Sequence, residues 1–281
     1  MGVTGNTALT ATKNDLIVEL VQRELISKAV LAPTTMDVSR FAKKGAQSIA
    51  FPKAGSFTVE NRASGAAATT QSLTFAKDKL DLNFRATVSW LIDSMDEMES
   101  IVDVESEYAQ RAARAHAVYL DQQIIAVLEA AGKATTTAGA ISKAIILEMR
   151  QILLSQKANP SALTLAVGPD SEALLLNITE FTSYQVYGQV VIPNGALGKI
   201  YGIPVIMSTE IGAGHFYMYE NEAVALGFQR GPMLDQRAAP EYGAGSTLKV
   251  LDQKFGLKAL QIAQQGVGAS ESALIVKGHA T

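Results

Sequence analysis

Between Leu80 and Ile92 the chain alternates with period two. Leu80, Leu82, Phe84, Ala86, Val88, Trp90 and Ile92 fall on one side, and Asp81, Asn83, Arg85, Thr87, Ser89 and Leu91 on the other, where only Leu91 breaks the polar character. Side chains of a strand point to its two faces in turn, so this spacing predicts one strand with an apolar and a polar face. At about 3.3 Å per residue it would run roughly 40 Å, about twice the usual length. Shorter strands are predicted at 47–51, stopped by Pro52, and at 57–60 and 73–75. Residues 61–72 are rich in Ala, Gly, Ser and Thr. The stretch 57–92 therefore reads as a long hairpin with a soft tip, which is poorly stable alone, exposes strand edges and needs another chain. The tip's small side chains bury little area against an ordering cost of about 1–2 kcal/mol per residue, so it is expected to order across a neighbouring subunit.

From Ser94 the period becomes helical. Ser94-Met95-Asp96-Glu97 has capping-box spacing, and Met98, Val102, Ala109, Ala113, Ala117, Leu120, Ile124, Val127 and Ala131 recur every three or four residues, with a gap at Glu105. This predicts a helix of about 37 residues, ~55 Å if continuous, ended by Gly132 and marked by a possible kink at Val102-Asp103-Val104. A second amphipathic helix is predicted over 13–32, with Asn14 as N-cap and Leu16, Ile17, Leu20, Val21 and Leu25 on its apolar face; a basic connector with Arg40, Lys43 and Lys44 follows. The small-residue stretch 133–140 reads as a linker and domain boundary. Beyond it, 141–281 predicts a compact α/β unit. It has helices at 141–158 and 171–178, a less regular stretch at 184–192, and strands at 163–167, 203–207, 216–219, 224–228, 248–257 and 273–276.

Composition narrows the function classes. The chain has 281 residues, 48% of them hydrophobic, and a formal net charge of −3. That is enough to bury one large core or two modest ones. A protein that itself neutralises nucleic acid needs an excess of Lys and Arg, so contact with DNA is expected to be loose and non-specific. The absence of cysteine excludes disulfides, thiolate metal sites and a Cys nucleophile. No basic segment leads into an apolar stretch at the start, and no run approaches the roughly 18 apolar residues of a spanning helix, so neither secretion nor membrane insertion is expected.

Candidate chemistry is sparse. His116 lies on the long helix with no acid four residues away, His215 follows Gly212-Ala213-Gly214 in a turn, and His279 stands in the tail. Gly243-Ala244-Gly245-Ser246-Thr247 resembles a phosphate loop superficially, but lacks Lys and precedes a strand. The acidic cluster Asp93, Asp96, Glu97, Glu99, Asp103, Glu105 and Glu107 admits two readings, a divalent-cation site or a solvated helix face that complements the helix dipole. No catalytic, cofactor or metal site is expected, and no enzyme activity.

The order of parts (helical arm, long hairpin, long helix, α/β unit) resembles the Hong Kong 97-type capsid fold, shared by tailed-phage major capsid proteins and encapsulins. Trp90-Leu91-Ile92-Asp93 through Asp96-Glu97, then Tyr108, Ala112 and Asp121, is similar to the family's entry into its spine helix, with podophage-type capsid proteins the nearest in wording. Gly198-Lys199-Ile200-Tyr201-Gly202-Ile203-Pro204-Val205 and Asn221-Glu222-Ala223-Val224-Ala225 resemble segments of its axial domain. The resemblance implies an α+β fold with 1–47 as N-terminal arm, 48–92 as extended loop and long strands, and 93–135 as spine helix. It further implies 136–258 as axial domain with return to the peripheral strands, and 259–281 as C-terminal peripheral strand and tail. It implies a structural subunit that forms pentamers and hexamers of an icosahedral shell around double-stranded DNA, with a scaffolding protein and a portal as partners, in a virion assembled in the host cytoplasm. The alternative is an encapsulin-type compartment enclosing protein cargo. Some relatives cross-link a loop lysine; Lys53, Lys77 and Lys79 lie near the loop here, without a matching acid.

Overall fold

The computed structural model describes residues 17–19, 21, 29–43, 45–54, 59–62, 64–65, 67, 70, 75–93, 104–137, 139–178, 198–243, 245–262 and 272–279. In chain order the elements are β1 (Met36–Asp37), β2 (Ser48–Ala54), β3 (Phe75–Asp81), β4 (Phe84–Ile92), α1 (Val104–Ala131), β5 (Lys133–Ala134), α2 (Lys143–Ser155), β6 (Leu163–Val167) and α3 (Pro169–Leu176). There follow β7 (Lys199–Ile200), β8 (Ile203–Met207), β9 (His215–Glu220), β10 (Val224–Ala238), β11 (Thr247–Ala259), β12 (Gln261–Ile262), β13 (Ser272–Ala273) and β14 (Ile275–His279). Of the predicted arm helix, only 17–19 and 21 are described, and they are helical; the expected elements at 94–103 and 184–192, and half of the tip 61–72, lie outside the described residues.

A six-stranded sheet in the order β5-β14-β9-β6-β8-β7 holds the main core. All five residues of β6 are buried, as a near-continuous apolar run requires of a central strand covered on both faces. Its neighbour α2 starts at Ser142, whose side chain accepts the Ile145 N–H (3.5 Å), and buries Ile145, Ile146, Met149 and Leu153 at helical spacing. At the β14–β9 crossing, a Cβ on Gly278 would lie 2.0 Å from the Phe216 ring, so only glycine lets Phe216 fill that position. The predicted linker is a correction: Lys133 and Ala134 form β5, which pairs in parallel with β14. The helix end at Gly132 is as expected, with its N–H donating to the Leu128 carbonyl at 2.8 Å.

The second sheet has the order β1-β10-β11-β4. Here α1 lies against one face. Its first half (Ala109, Ala112, Ala113) packs with Leu234, Leu251, Val88 and Trp90, and its second half (Ala117, Leu120, Ile124, Leu128) enters the core of the larger sheet. The helix thus joins the two cores, as do the long strands β4, β10 and β11, which contribute side chains to both. The predicted strand at 224–228 continues to Ala238, because register irregularities between Phe228 and Arg230 and between Arg230 and Met233 absorb Gly231-Pro232 without ending the ladder.

The period-two stretch 80–92 has the predicted faces, with Leu80, Leu82, Ala86 and Ile92 buried and Phe84, Val88 and Trp90 half-buried. It is not one strand, however. The ladder breaks at Leu82-Asn83: β3 pairs with β2, and β4 pairs with β11. Nor does Pro52 stop its strand. It sits inside β2 opposite Lys77, which a ribbon with a free outer edge tolerates. The hairpin therefore forms between 48–54 and 75–81, and the predicted strand at 57–60 is absent at the described residues Val59 and Glu60.

Candidate functional site

Among the described residues, the two-stranded ribbon β2–β3 meets the body at its base and along β3, which packs on β11. Ile49, Leu80 and Leu82 join Val38 and Ala225 in a small buried cluster. There β3 crosses β11 so closely that a Cβ on Gly256 would lie 2.3 Å from the Asp81 carbonyl oxygen, which explains a glycine in the middle of a long strand. Lys258 of β11 forms an ion pair with Asp78 of β3 across this crossing. Lys77 and Lys79 point to the exposed side of β3, and Lys53 lies in β2. Beyond the base, Val59 is 95% exposed. Among the described residues, β4 is the last strand of its sheet, so its outer backbone edge has no strand partner.

A second joint fixes the end of the N-terminal region. Asp121, buried on α1, accepts the N–H groups of Val30 (2.9 Å) and Leu31 (3.2 Å). Burial pushes its pKa up, partly opposed by these backbone donors. Thr34 then meets the Tyr219 hydroxyl at 2.7 Å, and burial drives that phenol up to about 12. The sequence marks Asp121 only as an acid on an otherwise apolar helix face; its partners are 90 and 91 positions away. A third joint is the buried Lys249 of β11, paired with Glu105 at the start of α1.

The histidines are placed as follows. His116 is buried against β11, and neither ring nitrogen has a hydrogen-bond partner. Burial lowers its pKa, outweighing the nearby Leu251 backbone, the Gln253 side chain and the charge of Asp252. Gln253 is likewise buried with both polar side-chain atoms unpartnered. His215 and His279, read from sequence as a turn and a tail residue, are register partners on β9 and β14 with ring centroids 4.4 Å apart. Beside them Glu129 accepts from Tyr217 (2.9 Å) and Lys277 (2.9 Å). Burial works against its charge, but these donors, with His215, hold its carboxyl below the usual range. Sixty-odd residues separate the two histidines, and no local pattern announces the pairing.

The phosphate-loop reading fails on charge. A Cβ on Gly243 would lie 3.2 Å from Oδ2 of Asp93, so the loop carries an anion of its own where phosphate would need donors. Within the acidic cluster, Glu105 and Glu107 pair with Lys249 and Arg111, while 94–103 lie outside the described residues. Among the described residues no group of three or more His, Asp or Glu has metal-binding geometry, and no helix is long and apolar enough to cross a membrane.

Residues 88–259 match the family model described as Phage capsid protein. No curated protein sequence matches the chain. Among solved structures, one from Mycobacterium phage Che8 is 17% identical with a TM-score of 0.73, over 89% of this chain and 90% of that one. The capsid structure of the cyanophage P-SCSP1u is 15% identical with a TM-score of 0.66, over 90% and 89%. The crystal structure of a virus-like particle from Pyrococcus furiosus is 10% identical with a TM-score of 0.62, over 95% and 99%.

Proposed function

Because the chain belongs to the phage capsid protein family, with its α+β Hong Kong 97-type fold, and is a structural capsid protein of the virion, we propose that its copies join as pentamers and hexamers into an icosahedral shell around double-stranded DNA. The observation that carries this reading is the ribbon β2–β3, a two-stranded sheet with a buried base and an exposed continuation. Such a ribbon is at best marginally stable in water, so a neighbouring subunit is its natural support. Repeated modest contacts of this kind give a closed shell strength that no single contact has, and ring symmetry lets near-identical contacts recur. The chain divides functionally into an arm (1–47), an extended loop with long strands (48–92), a spine (93–135), an axial region returning to the peripheral strands (136–258) and a final peripheral strand and tail (259–281). A net charge of −3 suits a wall that encloses DNA without gripping it. A scaffolding protein and a portal are the further partners, assembly takes place in the host cytoplasm, and the subunit catalyses no reaction.

Electron microscopy of the purified chain, alone and with its scaffolding partner, tests this. Hollow particles or rings are expected; a stable monomer at high concentration overturns the reading. The encapsulin alternative shares the fold, and the family match supports the phage reading over it. Particles from infected cells that contain protein cargo and no nucleic acid would reverse that preference.

A further inference from the structure

The face of the second sheet turned away from α1 carries a cleft of about 920 Å³, with Arg85, Arg230, Lys254, Asp252, Gln229 and Gly45 in its lining. Its three cations form a row. Arg230 of β10 is the register partner of Lys254 of β11, and Lys254 is the partner of Arg85 of β4. Adjacent strands lie about 4.8 Å apart, and like charges placed directly opposite one another destabilise a sheet. One acid answers them: Asp252 pairs with Arg85 and accepts from the Thr87 hydroxyl at 2.5 Å. Lys254 has no ion pair among the described residues, and the row keeps an excess of positive charge on a chain that is negative overall. A sheet with nothing to bind here would do better with one of these cations replaced.

The complement stands in the same sequence. Asp93, Asp96, Glu97, Glu99, Asp103, Glu105 and Glu107 are joined by no Lys, Arg or His anywhere in 93–110. Of these, Glu105 and Glu107 are committed to Lys249 and Arg111, which leaves the four carboxylates of 94–103 as the concentrated negative charge. We infer that the cleft is a docking site for the acidic stretch 94–103 of a second copy of this chain. The inference rests on the assembly reading above and names one of its contacts.

The chain's own acidic stretch is poorly placed for the cleft, since its backbone cannot span the distance and its side chains would have to bridge the remainder at full extension. Both its ends are fixed at the far end of β4, one by Asp93 following Ile92, the other by Glu105 on Lys249, which is the register partner of Trp90. From Asp93 back to Arg85 is roughly 26 Å along the strand, whereas the middle of a ten-residue segment tethered at both ends extends at most about 19 Å. A neighbouring copy has no such tether and supplies the stretch in equal number to the clefts. Nucleic-acid phosphate is the less fitting occupant, because the chain as a whole is net negative and lacks the excess of Lys and Arg that nucleic-acid binding draws on.

Three arms test the contact. Lys254→Glu relieves the like-charge row, so the full-length variant should keep or raise its melting temperature while particle yield falls roughly tenfold at about 0.1 M salt, as expected when like charges meet across an interface. Arg230→Glu should act the same way. Adding Asp96→Lys and Glu97→Lys to Lys254→Glu should restore assembly. Wild-type yield in both single variants overturns the inference and leaves the assembly reading standing. If the wild-type chain forms no particles, the assembly reading fails by itself, and a synthetic peptide of residues 93–107 then decides the contact on unassembled subunits. Binding that is lost in Lys254→Glu, and absent for the peptide with Asn and Gln in place of its acids, supports it. A single-stranded oligonucleotide that binds through Lys254 where the peptide does not would make the cleft a phosphate site and overturn the inference.

Discussion

In the six-stranded sheet every residue of β6 is buried, and α2 packs on the sheet at β14 and β9, burying Ile145, Ile146, Met149 and Leu153. Among the described residues of the ribbon β2–β3, Ile49 and Leu80 are buried, as is Leu82 just after it, and Val59 is almost wholly exposed. The first region finishes its core within one chain. The second, in its described residues, is buried at its base and exposed beyond it. Stability and assembly are thus carried by different residues, and a change in one region should leave the other property nearly untouched.

Removing residues 61–72 tests that separation most severely. Particle formation should be abolished, while the melting temperature stays within about 1–2 °C of wild type, since the small side chains of the deleted stretch have little area to bury and a shorter loop costs less to close. A parallel fall in melting temperature, read by calorimetry on the unassembled subunit, would show that the loop belongs to the fold. In the other region, Phe216→Ala should cost about 3–5 kcal/mol by emptying the position against Gly278, and should yield insoluble protein or an early denaturant midpoint. Particle assembly of any soluble fraction should be normal.

Asp121→Ala sharpens the comparison at a third place, the joint between α1 and the end of the N-terminal region. It strands the Val30 and Leu31 N–H groups, each worth about 1–3 kcal/mol when left buried and unpaired, so urea unfolding should show a loss of a few kcal/mol at most. Faster amide exchange at 29–34 than at 163–167 would locate the loss. The smallest effect concerns pH. His116 has a folded-state pKa below its ordinary 6.5, so the unfolded chain takes up the proton first. Its contribution is complete above about pH 6.5 and declines as pH falls through the folded pKa. His116→Phe should therefore flatten the dependence of melting temperature between pH 7.5 and 5; an unchanged slope would assign that dependence to other groups.

These predictions use residues that differ in how openly the sequence announces them. The faces of 80–92 are legible because period two is a local property, and so are β6, α2 and the end of α1 at Gly132. The break at Leu82-Asn83 is not legible, since alternation continues unchanged while the hydrogen-bonding partner switches from β2 to β11. Pro52 misled as a strand stop, because a free edge accommodates it, and the strand predicted at 224–228 runs on past Gly231-Pro232, which register irregularities accommodate. Joints between distant segments, such as Asp121 with Val30 and Leu31, have no signal in one sequence, because nothing local distinguishes an acid that holds a remote backbone from one that faces water.

The long ladder between β10 and β11 has a mechanical consequence. Its twelve register pairs run antiparallel over nearly the whole length of the second sheet, with nine more joining β11 to β4. A tensile force directed along these strands acts on all the cross-strand hydrogen bonds together, in shear, and cannot peel them one at a time. The irregularities near Arg230 are the places where such a sheet gives first, by local bending instead of rupture. A subunit pulled from its two ends by neighbours would therefore behave as a stiff strap with one compliant point, and single-molecule extension along β10 should meet a higher yield force than extension across it.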